Sequence, residues 1–90
     1  MLFRSRGNLL FWYREYKAAI PDLERASAAD PAETGLNTVM NAWLRMGQCL
    51  DMLNRHSDAL RAYRRAIDGA PDSDAAKEAV RYLNSPYRRG

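Results

Sequence analysis

The sequence predicts an all-α protein, two helical hairpins followed by one further helix, and three observations carry that reading. Apolar residues recur at helical spacing and nowhere alternate over the length of a strand. Prolines and turn residues cut the periodicity into segments of helix length. The segments also repeat, with anchor residues recurring at a constant offset of 40 positions, and internal repetition of this kind decides an architecture.

Five helices follow in order, at about 2–13, 17–29, 36–53, 57–69 and 73–84. The first rests on the repeat: Phe3, Gly7 and Leu10 stand 40 positions before Trp43, Gly47 and Leu50. The second has Ala18, Ala19, Leu23 and Ala26 on one face, with Pro21 in its first turn or just beyond, where a missing N–H costs little. In the third, Trp43, Met46, Gly47, Leu50 and Leu53 share a face. The fourth shows Ala59, Leu60, Tyr63, Ala66 and Ile67, with Ser57 and Asp58 suited to cap its start. The fifth starts at Asp72 or Ser73, stops before Ser85-Pro86, and has the stripe Ala76, Ala79, Val80 and Leu83. Short connections make each pair an antiparallel hairpin.

Ninety residues, 47% apolar and 28% charged, make one small core-forming domain. The longest apolar run, Leu9 to Tyr13, is far too short for a membrane span. A single cysteine, Cys49, leaves no intrachain disulfide, and with His56 as the one histidine a zinc module lacks its usual ligands. The basic start lacks the apolar core and cleavage site of a secretory signal, so a cytoplasmic location is expected. Net charge is +3, distributed as +3 over residues 1–17, −3 over 18–54 and +3 over 55–90. Basic ends around an acidic middle suit self-association or an acidic partner. Nucleic-acid binding calls for a denser basic stripe, so no nucleic acid is expected as a partner.

With Pro31 set on Pro71, Ala26 falls on Ala66, Leu23 on Tyr63 and Ala19 on Ala59. These anchors resemble the tetratricopeptide repeat, a helix–turn–helix unit with a W-x-x-L-G-x-x-Y…A…F…A…P pattern. Trp43, Met46, Gly47, Leu50, Ala59, Tyr63, Ala66 and Pro71 match it in the second unit, and Phe3, Gly7, Leu10, Ala19, Leu23, Ala26 and Pro31 in the first. Arg6 departs, standing where a large apolar residue is usual. The resemblance implies a short right-handed α-solenoid: units at about 1–33 and 40–73, a capping helix at 73–84 and a basic tail at 85–90, all in a single domain over 1–90. Gly47 and Ala59 must be small where paired helices approach. The period of 40 exceeds the family's 34. The extra residues fall between Pro31 and Trp43, lengthening the third helix or forming a loop at Gly35.

No catalytic constellation, phosphate loop or dinucleotide fingerprint is present, so no enzyme and no cofactor are expected. Cys49 lies mid-helix between core positions, which makes it a buried structural thiol, and His56 is a turn residue. Arg61, Arg64 and Arg65 share a solvated outer face. What remains is a surface for binding. The resemblance places a concave protein-binding groove on the first helix of each unit, lined by Arg4, Asn8, Phe11 and Trp12, then by Asn41, Leu44, Gln48, Asp51 and Met52. Helical spacing independently puts 41, 44, 48, 51 and 52 on a stripe about 100° from the packing stripe of 43, 46, 47 and 50. That stripe is expected to stay open, with Phe11, Trp12, Leu44 and Met52 as its adhesive groups. Arg4 and Asn8 are similar to the carboxylate clamp of chaperone-binding members, but Arg45, Ala75 and Glu78 break the rest of that clamp.

The expected function is an interaction module that binds a protein, as a peptide or helix, in this groove. The alternative is a structural protein that self-associates into a homo-oligomer or filament through its solenoid ends and groove.

Overall fold

A computed structural model describes residue 11 and residues 14–88. Among the described residues every regular element is helical: α1 (Tyr16–Ser27), α2 (Pro31–Thr34), α3 (Leu36–Met52), α4 (His56–Gly69) and α5 (Asp74–Asn84). The helix expected at 2–13, with the anchors Phe3, Gly7 and Leu10, falls almost wholly outside the described residues.

Helix α1 buries Tyr16, Ala19, Leu23 and Ser27, one stripe at steps of three and four. It starts one residue earlier than the sequence suggests, and Pro21 stands in its second turn, just beyond the first. Its ring removes the bond to the Lys17 carbonyl, a loss tolerated because Lys17 and Pro21 both face water. The extra residues of the long period become two features at once. Asp30 accepts from the Ala32 N–H at 2.9 Å and Pro31 takes the first helical position, which starts the single turn α2. Gly35, at φ +95°, then breaks the chain between α2 and α3 in a conformation that disfavours any residue with a Cβ. Helix α3 gains almost two turns ahead of Trp43.

Helix α3 closes with a Schellman motif. Asn54 takes the left-handed conformation (φ 62°), the Arg55 N–H reaches the Leu50 carbonyl at 2.8 Å, and the Asn54 N–H reaches that of Asp51 at 3.0 Å. This commits residues 53–55 and lets α4 start at His56, a residue before the expected cap. Ser57 and Asp58 therefore cap nothing by side chain. Asp58 lies in the first turn, where a negative charge is favoured, and binds Arg55 at 2.8 Å. Helix α5 begins as expected, the Ser73 hydroxyl accepting from the Ala76 N–H at 3.1 Å.

The packing order is α1 on α3, α3 on α4, and α5 on both α3 and α4, with no direct packing of α1 on α4. Helix α3 is thus the centre of the molecule, and Met46 through Asp51 are all buried in succession. Six consecutive buried residues leave no open side on that stretch, as in any helix enclosed by neighbours on every face. Gly47 is the point of closest approach to α4: a Cβ there would lie 2.6 Å from Tyr63 Cδ1 and 2.9 Å from Cζ, closer still to Cε1. Trp43 is half-buried, with the Arg65 guanidinium 5.0 Å above its ring. Two expected core positions are corrected. Ala18 is exposed, because α1 turns Tyr16, Ala19, Leu23 and Ser27 inward. Val80 is 52% exposed, because α5 turns Ala75, Ala76 and Ala79 inward instead.

A candidate binding groove

Of the nine positions expected to line the groove, Arg4, Asn8 and Trp12 lie outside the described residues. Asn41 is exposed and Met52 half-buried. The remaining four correct the expectation of an open stripe: Phe11, Leu44, Gln48 and Asp51 are all at most 1% exposed. Helical period correctly groups residues 44, 48 and 51 on one face, but two further pieces of chain lie over that face. Helix α5 crosses α3, and the segment after α5 folds back onto the last turn of α3.

Polar side chains on a covered face must find partners, because an unsatisfied buried donor or acceptor costs about 1–3 kcal/mol. Those at 48 and 51 do. The Gln48 side-chain oxygen accepts from Arg45 Nη1 at 2.8 Å, and its Nε2 donates to Glu78 Oε2 at 3.2 Å. The same Glu78 oxygen accepts from the Tyr82 hydroxyl at 3.1 Å. Burial pushes the Tyr82 phenol up, and the neighbouring Glu78 carboxylate adds to the effect. A polar chain therefore joins α3 to α5 across the face.

Asp51 is the second and denser centre. Its Oδ2 accepts from the Tyr63 hydroxyl at 2.6 Å and from the Tyr87 main-chain N–H at 2.9 Å. Its Oδ1 lies 2.6 Å from His56 Nδ1, and since a carboxylate offers only acceptors, the Nδ1 proton points at it. The sequence reading of His56 as a plain turn residue thus missed its partner five positions upstream. Burial, followed by the hydrogen bond to Asp51, pushes the Tyr63 phenol far above its ordinary range and keeps it a donor.

Residues 85–88 complete the arrangement. Ser85 is extended and Pro86 keeps the chain out of helix. The Tyr87 ring then lies 6.1 Å from Phe11 and 5.2 Å edge-on from Tyr82, both separations typical of paired aromatic rings. Arg88 Nη1 donates to the Asp51 main-chain carbonyl at 2.9 Å and to the Tyr87 carbonyl at 3.2 Å. A cation beside the last-turn carbonyls of α3 meets the negative end of that helix. Phe11 also stacks edge-on against Tyr16 at 5.8 Å, and Arg45 stands 5.1 Å above its ring.

The other candidate chemistry is quiet. Cys49 is fully buried, and burial pushes its thiol up to about 12 against a smaller opposing effect of Arg45. A thiol so held is not a nucleophile near neutral pH. Arg61, Arg64 and Arg65 are exposed on α4, Arg65 being drawn over Trp43. No helix among the described residues is long and apolar enough to cross a membrane. No protein-family model, curated protein or solved structure matches the chain.

Proposed function

We propose that this chain is a tetratricopeptide-like interaction module that binds an extended segment of another protein on the α3–α5 face. One observation carries the reading: a non-helical stretch, residues 85–88, already lies on that face, held by a main-chain hydrogen bond and a slot between rings. A surface that takes a main-chain donor and an aromatic side chain is suited to peptide in general. The repeat reading is supported by the packing order among the described helices, in which α5 touches both helices of the unit before it, α3 and α4, and by Gly47 under the Tyr63 ring. On this reading Asn41 and Met52 form the accessible ends of the site, and Gln48 and Asp51 its polar floor.

Self-association through the solenoid ends is less well supported. The outer face of α5 exposes Val80, but Lys77 and Arg81 beside it are exposed as well, so the uncovered apolar area is small. The peptide reading is tested by selecting binders from a random peptide library with the full chain and mapping them by amide chemical shifts. Shifts at Asn41, Gln48, Asp51, Met52 and along α5 are expected. Binders that shift only the Arg61/Arg64/Arg65 face would refute it.

A further inference from the structure

We infer that the α3–α5 face is specific for an extended aromatic–basic peptide, and that the chain's own Tyr87-Arg88 occupies the site in cis and competes with such a partner. The inference rests on the peptide-binding reading and names the ligand class and the means of closure.

Three features of the bound segment define the class. The aromatic ring is required because its slot has aromatic walls, Phe11 tilted against it at 6.1 Å and Tyr82 edge-on at 5.2 Å, and ring–ring contacts reward a ring over an aliphatic chain. The base must follow immediately: Arg88 reaches the Asp51 carbonyl only because Tyr87 is anchored to the carboxylate of that same residue. The backbone must be non-helical at the ring position, so that its N–H is free to meet Asp51 Oδ2 at 2.9 Å. A helical ligand would spend that N–H on its own ladder.

Occupation in cis is arranged to be reversible. Asp51 keeps the Tyr63 hydroxyl and His56 Nδ1 when Tyr87 leaves, so the buried carboxylate stays satisfied on both oxygens. Arg88 is exposed, and Tyr87 is only half-buried. The segment carries no helical or ladder hydrogen bonds of its own, which puts it at the low-stability end of the molecule. Tethering it beside its site gives it a high effective concentration, so a partner in trans must outcompete it.

The test uses the full chain and a synthetic peptide of residues 84–90, Asn-Ser-Pro-Tyr-Arg-Arg-Gly, with fluorescence anisotropy as the readout. The variant Tyr87→Ala/Arg88→Ala, confirmed as folded by circular dichroism, should bind this peptide at least tenfold more tightly than the unmodified chain. A peptide with alanine in place of its tyrosine should lose at least tenfold on the same variant. No binding to the folded variant, or equal binding of both peptides, overturns the ligand class. Equal affinity of variant and unmodified chain overturns closure in cis. Should the variant unfold, the unmodified chain still decides: excess peptide should accelerate hydrogen exchange at the Tyr87 amide at least fivefold, and an unchanged rate overturns the proposal. Library binders that map to this face without an aromatic–basic pair would overturn this inference and leave the peptide-binding reading standing; binders elsewhere would remove both.

Discussion

Gly47→Ala is the sharpest probe of how α3 and α4 fit. In an ordinary helix the change is favourable by about 0.8–1.0 kcal/mol, since alanine loses less backbone freedom. Here the new methyl would stand 2.6 Å from Tyr63 Cδ1 and 2.9 Å from Cζ, against the 3.5–4.0 Å of an ordinary carbon contact. The ring has to move by roughly an ångström to restore that separation. It is not free to do so cheaply, because Tyr63 is fully buried and its hydroxyl is held 2.6 Å from Asp51. Overpacking of this kind costs about 1–3 kcal/mol. Stretching a hydrogen bond to a carboxylate adds about 1.5–3 kcal/mol. Net of the helical gain, Gly47→Ala should destabilise by about 1.5–5 kcal/mol in urea unfolding followed by circular dichroism. The Tyr63→Leu background isolates the cause, because it removes both the ring and the hydroxyl. There Gly47→Ala should become neutral or stabilising, a coupling that a double-mutant cycle reads directly. If Gly47→Ala stabilises the unmodified chain, or costs the same in both backgrounds, the close approach of Gly47 to Tyr63 is wrong.

Three further outcomes follow from the same contacts. Tyr63→Phe keeps the ring and removes one donor from the Asp51 carboxylate, and should lower stability by about 1.5–3 kcal/mol in the same unfolding assay. Tyr16 has the reverse problem: its hydroxyl is buried without a hydrogen-bond partner among the described residues. Tyr16→Phe should therefore raise stability by about 1 kcal/mol, visible as a shifted urea midpoint at unchanged slope. Cys49 has a thiol raised from an ordinary 9.0 to about 12 by burial, so folding favours its protonated form. Its contribution is complete below about pH 9 and is lost as pH rises toward 12, where the unfolded chain binds fewer protons. Cys49→Ala should flatten the fall in stability across that window by up to about 1.4 kcal/mol per pH unit. The native thiol should also resist a thiol reagent at pH about 8 and react once the chain is unfolded.

The helices were legible where local chemistry punctuates them. Ser73 ahead of α5 and Ser85-Pro86 behind it need no tertiary information to be read. Asp30-Pro31 carried an equally plain start signal, a cap followed by proline at the first helical position, yet Pro31 reads just as well as the stop of the preceding helix. Both readings hold, since the chain stops at Ser27 and starts again at Pro31. The early start of α4 was hidden because it depends on how α3 ends, with Asn54 taking the left-handed position usually left to glycine. At the candidate site, period alone groups Leu44, Gln48 and Asp51 correctly. It carries no information on what lies over them, and a glutamine and an aspartate in the stripe argue for water on that side. What covers them comes from residues 30 and more positions away, Glu78 to Gln48 and Tyr87 to Asp51, and no local pattern encodes those distances.

The division of labour around Asp51 explains how a buried acid can sit in a face that opens. Well-packed apolar residues at such a place are often as stable as a charged network, so the carboxylate is not explained by stability alone. Its donors fall into two kinds. Tyr63 belongs to the core: its ring is fully buried against Gly47, and removing it disturbs the α3–α4 contact itself. His56 stands at the first position of α4, one turn of chain away from Asp51, and moves with that corner. Among the described residues Tyr87 alone reaches the carboxylate from outside the helices, through a main-chain N–H that any non-helical residue other than proline carries. The two inner donors keep both oxygens satisfied whatever the outer one does. The polar group that would be the weak point of an exchangeable face is therefore the group best secured against its exchange.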